Sequence, residues 1–433
     1  MKALFPKQKE TWEFFVSKLS QGISTIDTSS VGTGKTVVAA AIAHSLNIPI
    51  AVICPKSVIP AWERELKEFN VAPLFVLNYE KIRTGRTPYM SKRGKKIMVW
   101  GLPENTLILV DEIHKCKGPY TQNCQLVISL IQQGYRVHGM SATACEDPTE
   151  MRSIGYMLGL HSLNKSEEGK KSWYSWMKQN GCAQDQWKQW RLLRRADLKN
   201  VKETIYGVTG KKLTVEDFPD SFRDNRVFIE PIQFSSSAKI IKSYEELGIT
   251  PNIVQDFIER GTVTESEFIL VNLLRARQLA ESFKTPDIAD MAEDLVAQGN
   301  SVVMFVNFRE TVDALCEKLG REKCKRIEGG QTIKERQDIV DAFQNDEVHL
   351  LAANISAGGT GLSLHDVNGK RPRISLISPS FSAKDHLQTL GRIHRNGAKS
   401  DAIQKILVAA DSIEEAVMKS IDKKLKNLEA LHG

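Results

Sequence analysis

The segment TIDTSSVGTGKTVV (25–38) contains two glycines, a lysine and a threonine at a spacing that suits phosphate binding. Gly32 and Gly34 would let backbone N–H groups approach phosphate oxygens, and the positive end of a following helix would add attraction. Lys35 would reach the β- and γ-phosphates, and Thr36 would offer its hydroxyl to Mg²⁺. A tight turn capped by serine or threonine is the alternative, because Ser29 stands where the strict pattern has glycine.

A carboxylate pair, Asp111 and Glu112, ends the apolar part of ILVDEIH (108–114). At the carboxyl end of a parallel strand, Asp111 would hold Mg²⁺ through water, and Glu112 would orient and deprotonate an attacking water. A solvated acidic pair at a strand end is the alternative for this motif taken alone. Together with GTGKT (32–36), the pair predicts a nucleotide hydrolase.

These motifs require strands and helices to position them, and the hydrophobic pattern supplies both. Ile23 to Thr28 alternates as a strand does, and Val37 to Leu46 is rich in helix formers. Further apolar runs rich in Val, Ile and Leu predict buried parallel strands. They are PIAVICP (49–55), NTLILVDE (105–112), YRVHGMSA (135–142), SVVMFVNF (301–308), VHLLAAN (348–354) and RISLISPS (373–380).

The predicted strands fall into two groups, at about 23–142 and about 301–410, which indicates an α/β fold with two lobes. We expect a first lobe at 1–228, with a basic, Trp-containing helical portion near 161–215. A second lobe is expected at 229–433, with a helical lead-in at 236–298. A length of 433 residues suits two domains of about 200 residues each.

Composition narrows the class of protein. Hydrophobic content of 41% and charged content of 26% are typical of a soluble globular chain. The first residues do not resemble a signal peptide, and no apolar stretch predicts a membrane span, so we expect no membrane partner. The seven scattered cysteines form no CxxC pair, which favours reduced thiols in a cytoplasmic compartment over a disulfide frame or zinc site.

The combination of GTGKT, DEIH and SAT (141–143) resembles superfamily 2 helicases and translocases. Longer blocks resemble the Swi/Snf-type branch in order along nearly the whole chain. They are VICPKSVIPAWERELKEF (52–69), LNYEKIR (77–83), DEIHKCKGP (111–119), VVMFVNFRETVDAL (302–315), IEGGQTIKERQDIVDAFQND (327–346), ISAGGTGLSLHDVN (355–368) and HLQTLGRIHRNG (386–397). The resemblance implies two RecA-like lobes with parallel sheets flanked by helices, and ATP and Mg²⁺ as cofactors.

Three features depart from the pattern of that branch. Ser29 and Ser30 replace an acidic pair that is usual in the glycine-rich loop, and Ala398 replaces a glutamine. The SAT motif is closer to the DExH helicases. These departures concern the assignment to the Swi/Snf-type branch and not the assignment to the superfamily. The glycine-rich loop of the superfamily does not require glycine at the position of Ser29.

The resemblance also implies roles for individual residues of the first lobe. Gln8 would contact adenine, with a surface glutamine as the alternative, and Thr33 would belong to the phosphate loop. His114, Ser141 and Thr143 would couple the nucleotide state to the nucleic-acid groove, with an ordinary turn after a strand as the alternative.

In the second lobe, Arg392 and Arg395 would stabilise the γ-phosphate in its transition state, which would make hydrolysis depend on a facing domain. The alternative is a solvated basic helix face. Gln388 would join the coupling residues, and Gly361 would approach the nucleotide.

Two regions are candidates for nucleic-acid binding. By the resemblance, Pro55, Lys56, Gly358 and Gly359 would grip phosphates. Residues 171–212 hold ten Lys or Arg, including Arg194 and Arg195, against three Asp or Glu, and these basic residues would neutralise phosphates. A smaller basic run, KRGKK (92–96), is expected at the tip of a hairpin.

Four of the seven tryptophans lie in the same basic region, at positions 173, 176, 187 and 190. The i,i+3 spacing would put each pair on one side of a helix. There they would either stack on bases or pack an accessory helical lobe.

The sequence thus predicts a nucleic-acid-stimulated ATPase that translocates on DNA and remodels duplex or branched DNA by branch migration, annealing or protein displacement. Two alternatives remain at this point: a strand-separating DNA or RNA helicase, and a catalytically inactive nucleic-acid-binding scaffold. The expected partners are duplex, branched or single-stranded DNA, with RNA not excluded, and replication or recombination proteins. The expected location is the cytoplasm of a bacterial or phage-infected cell, in association with the nucleoid.

Overall fold

The chain divides into two compact units. The computed structural model describes residues 3–94, 97–163, 171–186, 188–193, 198–219, 221–260, 267–355 and 362–432. The first unit comprises Met1–Phe218 with Lys426–Gly433, and the second comprises Pro219–Leu425. The predicted boundary at 228/229 would cut the strand Asn225–Ile232, which instead pairs along its whole length within the sheet of the second unit.

The first unit is built on a six-stranded sheet in the order β10-β1-β7-β6-β2-β3, with every neighbouring pair parallel. Its strands are β1 (Thr25–Asp27), β2 (Ile50–Cys54), β3 (Phe75–Asn78), β6 (Leu107–Asp111), β7 (Arg136–Met140) and β10 (Gly210–Lys211). Its helices are α1 (Pro6–Ser20), α2 (Lys35–Leu46), α3 (Ile59–Glu68), α4 (Tyr79–Arg83), α5 (Gln122–Gln132), α6 (Arg152–Met157), α7 (Trp173–Gln179) and α8 (Lys199–Ile205).

Two antiparallel hairpins accompany this sheet. One joins β4 (Met90–Arg93) to β5 (Ile97–Trp100), which confirms the hairpin expected around the basic run 92–96. The other joins β8 (Cys182–Gln184) to β9 (Trp190–Leu192).

The second unit contains another six-stranded parallel sheet, in the order β11-β16-β15-β12-β14-β13. Its strands are β11 (Asn225–Ile232), β12 (Ser301–Val306), β13 (Cys324–Ile327), β14 (Leu350–Asn354), β15 (Arg373–Ile377) and β16 (Ala402–Ala409). Within the described residues, the helices that begin in this unit are α9 (Ser237–Glu245), α10 (Pro251–Arg260), α11 (Glu267–Ala297), α12 (Arg309–Lys318), α13 (Ile333–Gln344), α14 (Ala383–Leu390) and α15 (Ile413–His432).

Burial on both faces explains why the apolar runs are continuous. In β6, Ile108 and Val110 face one hydrophobic cluster, whereas Leu107 and Leu109 face a second cluster on the opposite side. Successive strand residues point to opposite faces, so a sheet covered by helices on both sides needs apolar residues at every position. The predicted α/β fold, with two lobes that each contain a parallel sheet flanked by helices, is confirmed.

The region between the two predicted strand groups is less helical than its sequence pattern predicts. It contributes β10 and β11 to the two sheets and forms the β8–β9 hairpin. β10 has two residues, and β11 contains Pro231, which is tolerated because this strand lies at a sheet edge. Short length and an internal proline both weaken the hydrophobic signal of a strand.

Among the described residues, no helix combines the length and the apolar character that crossing a membrane would require.

Candidate nucleotide-binding site

Strand register brings the predicted catalytic motifs to one edge of the first sheet. Asp27, the last residue of β1, is paired with Met140 of β7, and Met140 is paired with Asp111 of β6. The glycine-rich loop, the SAT segment and the acidic pair therefore all follow the carboxyl ends of adjacent parallel strands. In open α/β sheets, this edge is where ligands bind.

The glycine-rich loop has the backbone of a phosphate cradle. Gly32 and Gly34 have φ angles of 87° and 91°, a region that only glycine adopts without strain, and α2 begins at Lys35. The Lys35 ammonium donates to the backbone carbonyls of Ser29 and Ser30, at 2.6 and 3.0 Å. Lys35 therefore contacts the loop itself.

Gln8 is buried against this loop, which excludes the alternative of a surface glutamine. Its Nε2 donates to the Thr33 carbonyl at 2.8 Å, and its Oε1 accepts from the Phe5 N–H at 3.0 Å. A Cβ at Gly34 would collide with the Gln8 amide. Gln8, on α1, therefore holds the loop from a part of the chain that precedes it.

Ser29, the residue that breaks the glycine pattern, has structural partners of its own. Its hydroxyl accepts from the Leu213 N–H at 2.8 Å, and its own N–H donates to Asp27 Oδ1 at 2.8 Å. The first bond ties the loop to the segment after β10. Glycine at this position would leave a buried N–H without its acceptor, so the serine is explained by packing.

The carboxylate of Asp111 is held in place by a buried tryptophan. Trp62 Nε1 donates to Asp111 Oδ2 at 2.9 Å, and the Tyr79 hydroxyl donates to the Asp111 carbonyl at 2.6 Å. Burial, and then the neighbouring Glu112 charge, raise the pKa of Asp111, while the Trp62 hydrogen bond and Lys35 act in the opposite direction. Asp111 is therefore not part of a solvated acidic pair. The role of Trp62 was not predicted, although this tryptophan lies in the block VICPKSVIPAWERELKEF (52–69) that carried the family resemblance.

Glu112 begins a chain of polar contacts that includes three of the predicted coupling residues. Nδ1 of His114 lies 3.1 Å from Glu112 Oε2 and 2.8 Å from the Ser141 hydroxyl oxygen. That oxygen accepts from the Thr143 N–H at 3.1 Å. Glu112 itself has φ 54° and ψ 49°, a left-handed conformation that is uncommon for a residue with a side chain and is often found at functional sites.

Pro55 and Lys56 follow β2 at the same sheet edge. Pro55 is buried, and Lys56 is exposed in a 3₁₀ turn that runs to Val58. The exposed ammonium is therefore accessible to an anionic ligand.

In the second unit, Arg392 and Arg395 lie just after α14 and not on its face. Arg392 is 3% exposed and donates to the Leu362 carbonyl at 3.3 Å, so the alternative of a solvated basic face does not apply to it. Arg395 Nε donates to the Gly391 carbonyl at 3.1 Å, and burial lowers the pKa of its guanidinium to about 10. Gln388, on α14, is also buried.

A polar centre in the second unit was missed by the sequence analysis. The buried Glu281 on α11 accepts from the N–H groups of Asn307 and Phe308, each within 3.0 Å. The guanidinium of Arg277, one turn earlier, lies 4.0 Å from the ring centroid of Phe381. This centre fixes the segment that leaves β12, and its only sequence signal was two charged residues inside a long helix.

Some predicted residues lie outside the described part of the chain. They are Arg194, Arg195, Gly358, Gly359 and Gly361, together with Trp187, Lys95 and Lys96. Of the other tryptophans in the basic region, Trp173 and Trp176 are buried on α7, whereas Trp190 lies in strand β9. The predicted pairing of Trp190 with a helical neighbour is therefore wrong, because this part of the chain forms a hairpin.

The chain is similar to known helicases in sequence. The family model described as Helicase conserved C-terminal domain matches residues 287–397. A protein of Acanthamoeba polyphaga mimivirus, named "Putative ATP-dependent RNA helicase L364", is 32% identical over 455 residues. That alignment covers 99% of this chain and 83% of the mimivirus protein.

Shorter alignments extend to longer proteins. The DNA repair and recombination protein RAD54-like of Drosophila pseudoobscura pseudoobscura is 32% identical over 191 residues, or 41% of this chain and 24% of that protein. Chromatin remodeling factor mit1 of Schizosaccharomyces pombe is 27% identical over 135 residues, or 30% of this chain and 9% of that protein. These alignments thus span a small part of each longer protein.

Among solved structures, the Sulfolobus solfataricus SWI2/SNF2 ATPase core in complex with dsDNA is 18% identical, with a TM-score of 0.38. The match covers 94% of this chain and 88% of that chain.

Proposed function

Because the chain belongs to the Swi/Snf-type branch of the superfamily 2 helicases, we propose that it is an ATP-driven translocase on double-stranded DNA. The motor would remodel duplex or branched DNA by branch migration, strand annealing or displacement of bound protein. The ATPase activity in this proposal rests on one observation, the strand register that aligns Asp27, Met140 and Asp111. This register brings the glycine-rich loop and the acidic pair to one edge of the sheet.

In this proposal the glycine-rich loop binds the phosphates of ATP. The N–H groups of Gly32, Thr33 and Gly34 would face the phosphate oxygens, and Lys35 would exchange its contacts with Ser29 and Ser30 for the β- and γ-phosphates. The positive φ angles of both glycines support this role. Gln8, which donates to the Thr33 carbonyl, would contact adenine beside the loop.

Thr36 and Asp111 would hold Mg²⁺, and the residues present suit that ion. A hydroxyl and a carboxylate are oxygen ligands of the kind that Mg²⁺ prefers, with water completing its shell. When bound, the ion would neutralise charge on the β- and γ-phosphates. The Trp62 hydrogen bond would keep the Asp111 carboxylate in one orientation for that purpose.

Glu112 would act as the base that orients and deprotonates the attacking water. Its contact with His114, and the contact of His114 with Ser141, link this base to the SAT segment. A change at the phosphates would therefore reach Thr143 through hydrogen bonds, which is the coupling that a motor requires. Arg392 and Arg395 of the second unit, with Gln388, would contribute positive charge to the transition state.

Lys56 would contact the phosphates of the bound strand, together with Pro55, Gly358, Gly359, Arg194 and Arg195. The exposure of Lys56 at the carboxyl edge of the sheet supports this contact. Double-stranded DNA is favoured by the partial similarity to the RAD54-like and mit1 proteins, whose names refer to DNA repair and chromatin remodelling. The mimivirus relative instead carries the name of an RNA helicase, which makes RNA unwinding the second candidate.

The two candidates are separated by the ATPase rate measured with single-stranded DNA, duplex DNA, a fork, a four-way junction and duplex RNA at matched salt. Matched salt is needed because phosphate contacts are strongly salt-dependent. The proposal predicts stimulation by duplex or junction DNA and no strand separation of a plain fork. Stimulation by RNA or by single strands alone, accompanied by unwinding, would favour the second candidate.

A further inference from the structure

Four aromatic side chains of the first unit form a continuous row: Tyr120, Trp173, Tyr174 and Trp190. Their ring centroids lie 6.5, 5.1 and 5.8 Å apart in that order. Tyr120 comes from the segment before α5, Trp173 and Tyr174 begin α7, and Trp190 lies in β9. Three separate elements thus contribute to this feature, which we call the aromatic row.

One part of the aromatic row is buried, and another faces solvent. Trp173 is 4% exposed and belongs to the hydrophobic core, whereas Tyr120 is 76% exposed and Tyr174 is 46% exposed. The two tyrosine hydroxyl oxygens lie 3.1 Å apart. The buried indole therefore supports two accessible rings, and tyrosine rings, with two side-chain torsions each, lose little entropy when they bind a ligand.

Cationic side chains border the same row. The guanidinium carbon of Arg152 lies 5.8 Å from the Tyr120 ring centroid and 5.9 Å from that of Trp173. The ammonium of Lys178, an exposed residue, lies 5.9 Å from the Trp190 ring centroid. Residues 171–193 contain four basic side chains and one acidic side chain, Asp185, which pairs with Arg191 at 2.6 Å.

We propose that the aromatic row binds an unpaired stretch of a nucleic-acid strand, with bases stacked on Tyr120 and Tyr174 and phosphates facing Arg152 and Lys178. Every base offers a π-face regardless of sequence, and the backbone is anionic, so exposed rings beside cations fit both parts of a nucleotide. The inference rests on the proposed function for the class of polymer. It adds a site for unpaired bases to a motor that otherwise contacts backbone phosphates.

The test compares two tailed duplexes in a fluorescence anisotropy titration. One duplex carries a short thymidine tail, and the other carries a tail of abasic sites, which keeps the phosphates and removes the bases. Wild-type protein is expected to bind the thymidine tail about tenfold more tightly than the abasic tail. The doubly substituted Tyr120→Ala, Tyr174→Ala protein should lose most of that preference and keep its affinity for a blunt duplex.

Tyr120→Phe with Tyr174→Phe is the matched control, because it keeps both rings and should keep the preference. Equal binding of the two tails by the wild type would overturn the proposal, as would an alanine protein that still prefers thymidine. Loss of self-association in the alanine protein, with tail binding unchanged, would also overturn it and assign the row to a protein contact. The proposed translocase is tested separately by duplex-stimulated ATPase, which the alanine protein should retain.

Discussion

At the residue scale, the candidate site is defined by polar groups that neighbouring side chains hold in one orientation. Ser29 is tied to Leu213, Asp111 to Trp62, and Glu112 to His114. Each bond restricts a group whose chemistry requires a fixed direction. Changes that keep the shape of a residue and remove one polar function therefore test these roles most directly.

Glu112→Gln tests the assignment of the catalytic base. The amide keeps the size of the side chain but cannot accept a proton from water, so the ATPase rate should fall at least about a hundredfold while ATP affinity is kept. Turnover with nucleic acid and equilibrium binding of a fluorescent ATP analogue measure the two quantities. Unchanged turnover would exclude Glu112 as the base, whereas a parent protein without turnover would point to the inactive scaffold.

Trp62→Phe tests whether the buried indole positions the Asp111 carboxylate. Phenylalanine keeps most of the packing but removes the 2.9 Å hydrogen bond to Asp111 Oδ2. Partners of metal-binding groups typically contribute tenfold or more, so the Mg²⁺ concentration at half-maximal ATPase activity should rise about tenfold.

Trp100→Phe is the matched control for Trp62→Phe. Trp100 is also buried in the first unit, and its indole donates to the Ser129 hydroxyl at 2.9 Å instead of to a member of the acidic pair. This control should leave the Mg²⁺ dependence unchanged. An equal shift in both variants would show that the effect reflects general loosening of the core.

At the scale of elements, the central strands of the first sheet carry polar side chains in fully buried positions. His138 of β7 is 0% exposed, with its Nδ1 2.8 Å from the Thr25 hydroxyl of β1 and its ring packed against Phe15. Burial lowers the pKa of His138 to about 3. The folded protein therefore keeps this imidazole neutral near pH values of about 6.5, where the unfolded chain begins to protonate it.

This burial predicts a component of acid sensitivity in the first unit. When the pH falls below the unfolded pKa of about 6.5, only the unfolded state gains the proton. The free energy of unfolding therefore decreases, and at about pH 5.5 it is about 1.4 kcal/mol lower than at neutral or higher pH. His138→Asn removes that component. Its melting temperature should drop less than that of the wild type between about pH 7.5 and about pH 5.5.

His44→Asn, which changes a half-buried histidine on α2, serves as the control for His138→Asn and should follow the wild-type pH dependence. Parallel acid sensitivity in all three proteins would contradict the assignment to His138.

At the scale of the whole molecule, the proposed catalytic groups are divided between two compact units. The glycine-rich loop and the acidic pair belong to the first unit, whereas Arg392 and Arg395 belong to the second. Each unit has its own parallel sheet and its own hydrophobic clusters. If the arginines act on ATP, hydrolysis depends on both units, although each folds around a separate core.

Arg395→Ala tests this dependence. Loss of a transition-state arginine costs about a thousandfold or more in kcat, and affinity for ATP should change far less. Stimulated turnover, the KM for ATP and the melting temperature separate a catalytic role from the structural role suggested by the bond to the Gly391 carbonyl.

Arg321→Ala is the control for Arg395→Ala, because the Arg321 side chain is 64% exposed in the same unit and pairs loosely with Glu317. A fall in melting temperature for Arg395→Ala, with kcat unchanged, would show that Arg395 only anchors its loop.

The sequence by itself determined the elements and the motifs that adjoin them. Continuous apolar runs predicted β2, β6, β7, β12, β14 and β15, because strands buried on both faces must be apolar throughout. Likewise, GTGKT and DEIH predicted phosphate binding and hydrolysis from residues that are close together in the sequence. In the region of β8 to β11 the local signal was weak, since those strands are short or contain proline, and the helical expectation there was only partly met.

Only the tertiary structure decided which distant residues complete the site. The Ser29–Leu213 bond spans 184 positions, and the Trp62–Asp111 bond spans 49. The tyrosines of the aromatic row meet across 54 positions. Strand order and helix packing create these contacts, and local periodicity carries no information about them. The sequence therefore identified the reactive groups, whereas the fold selected the partners that orient them.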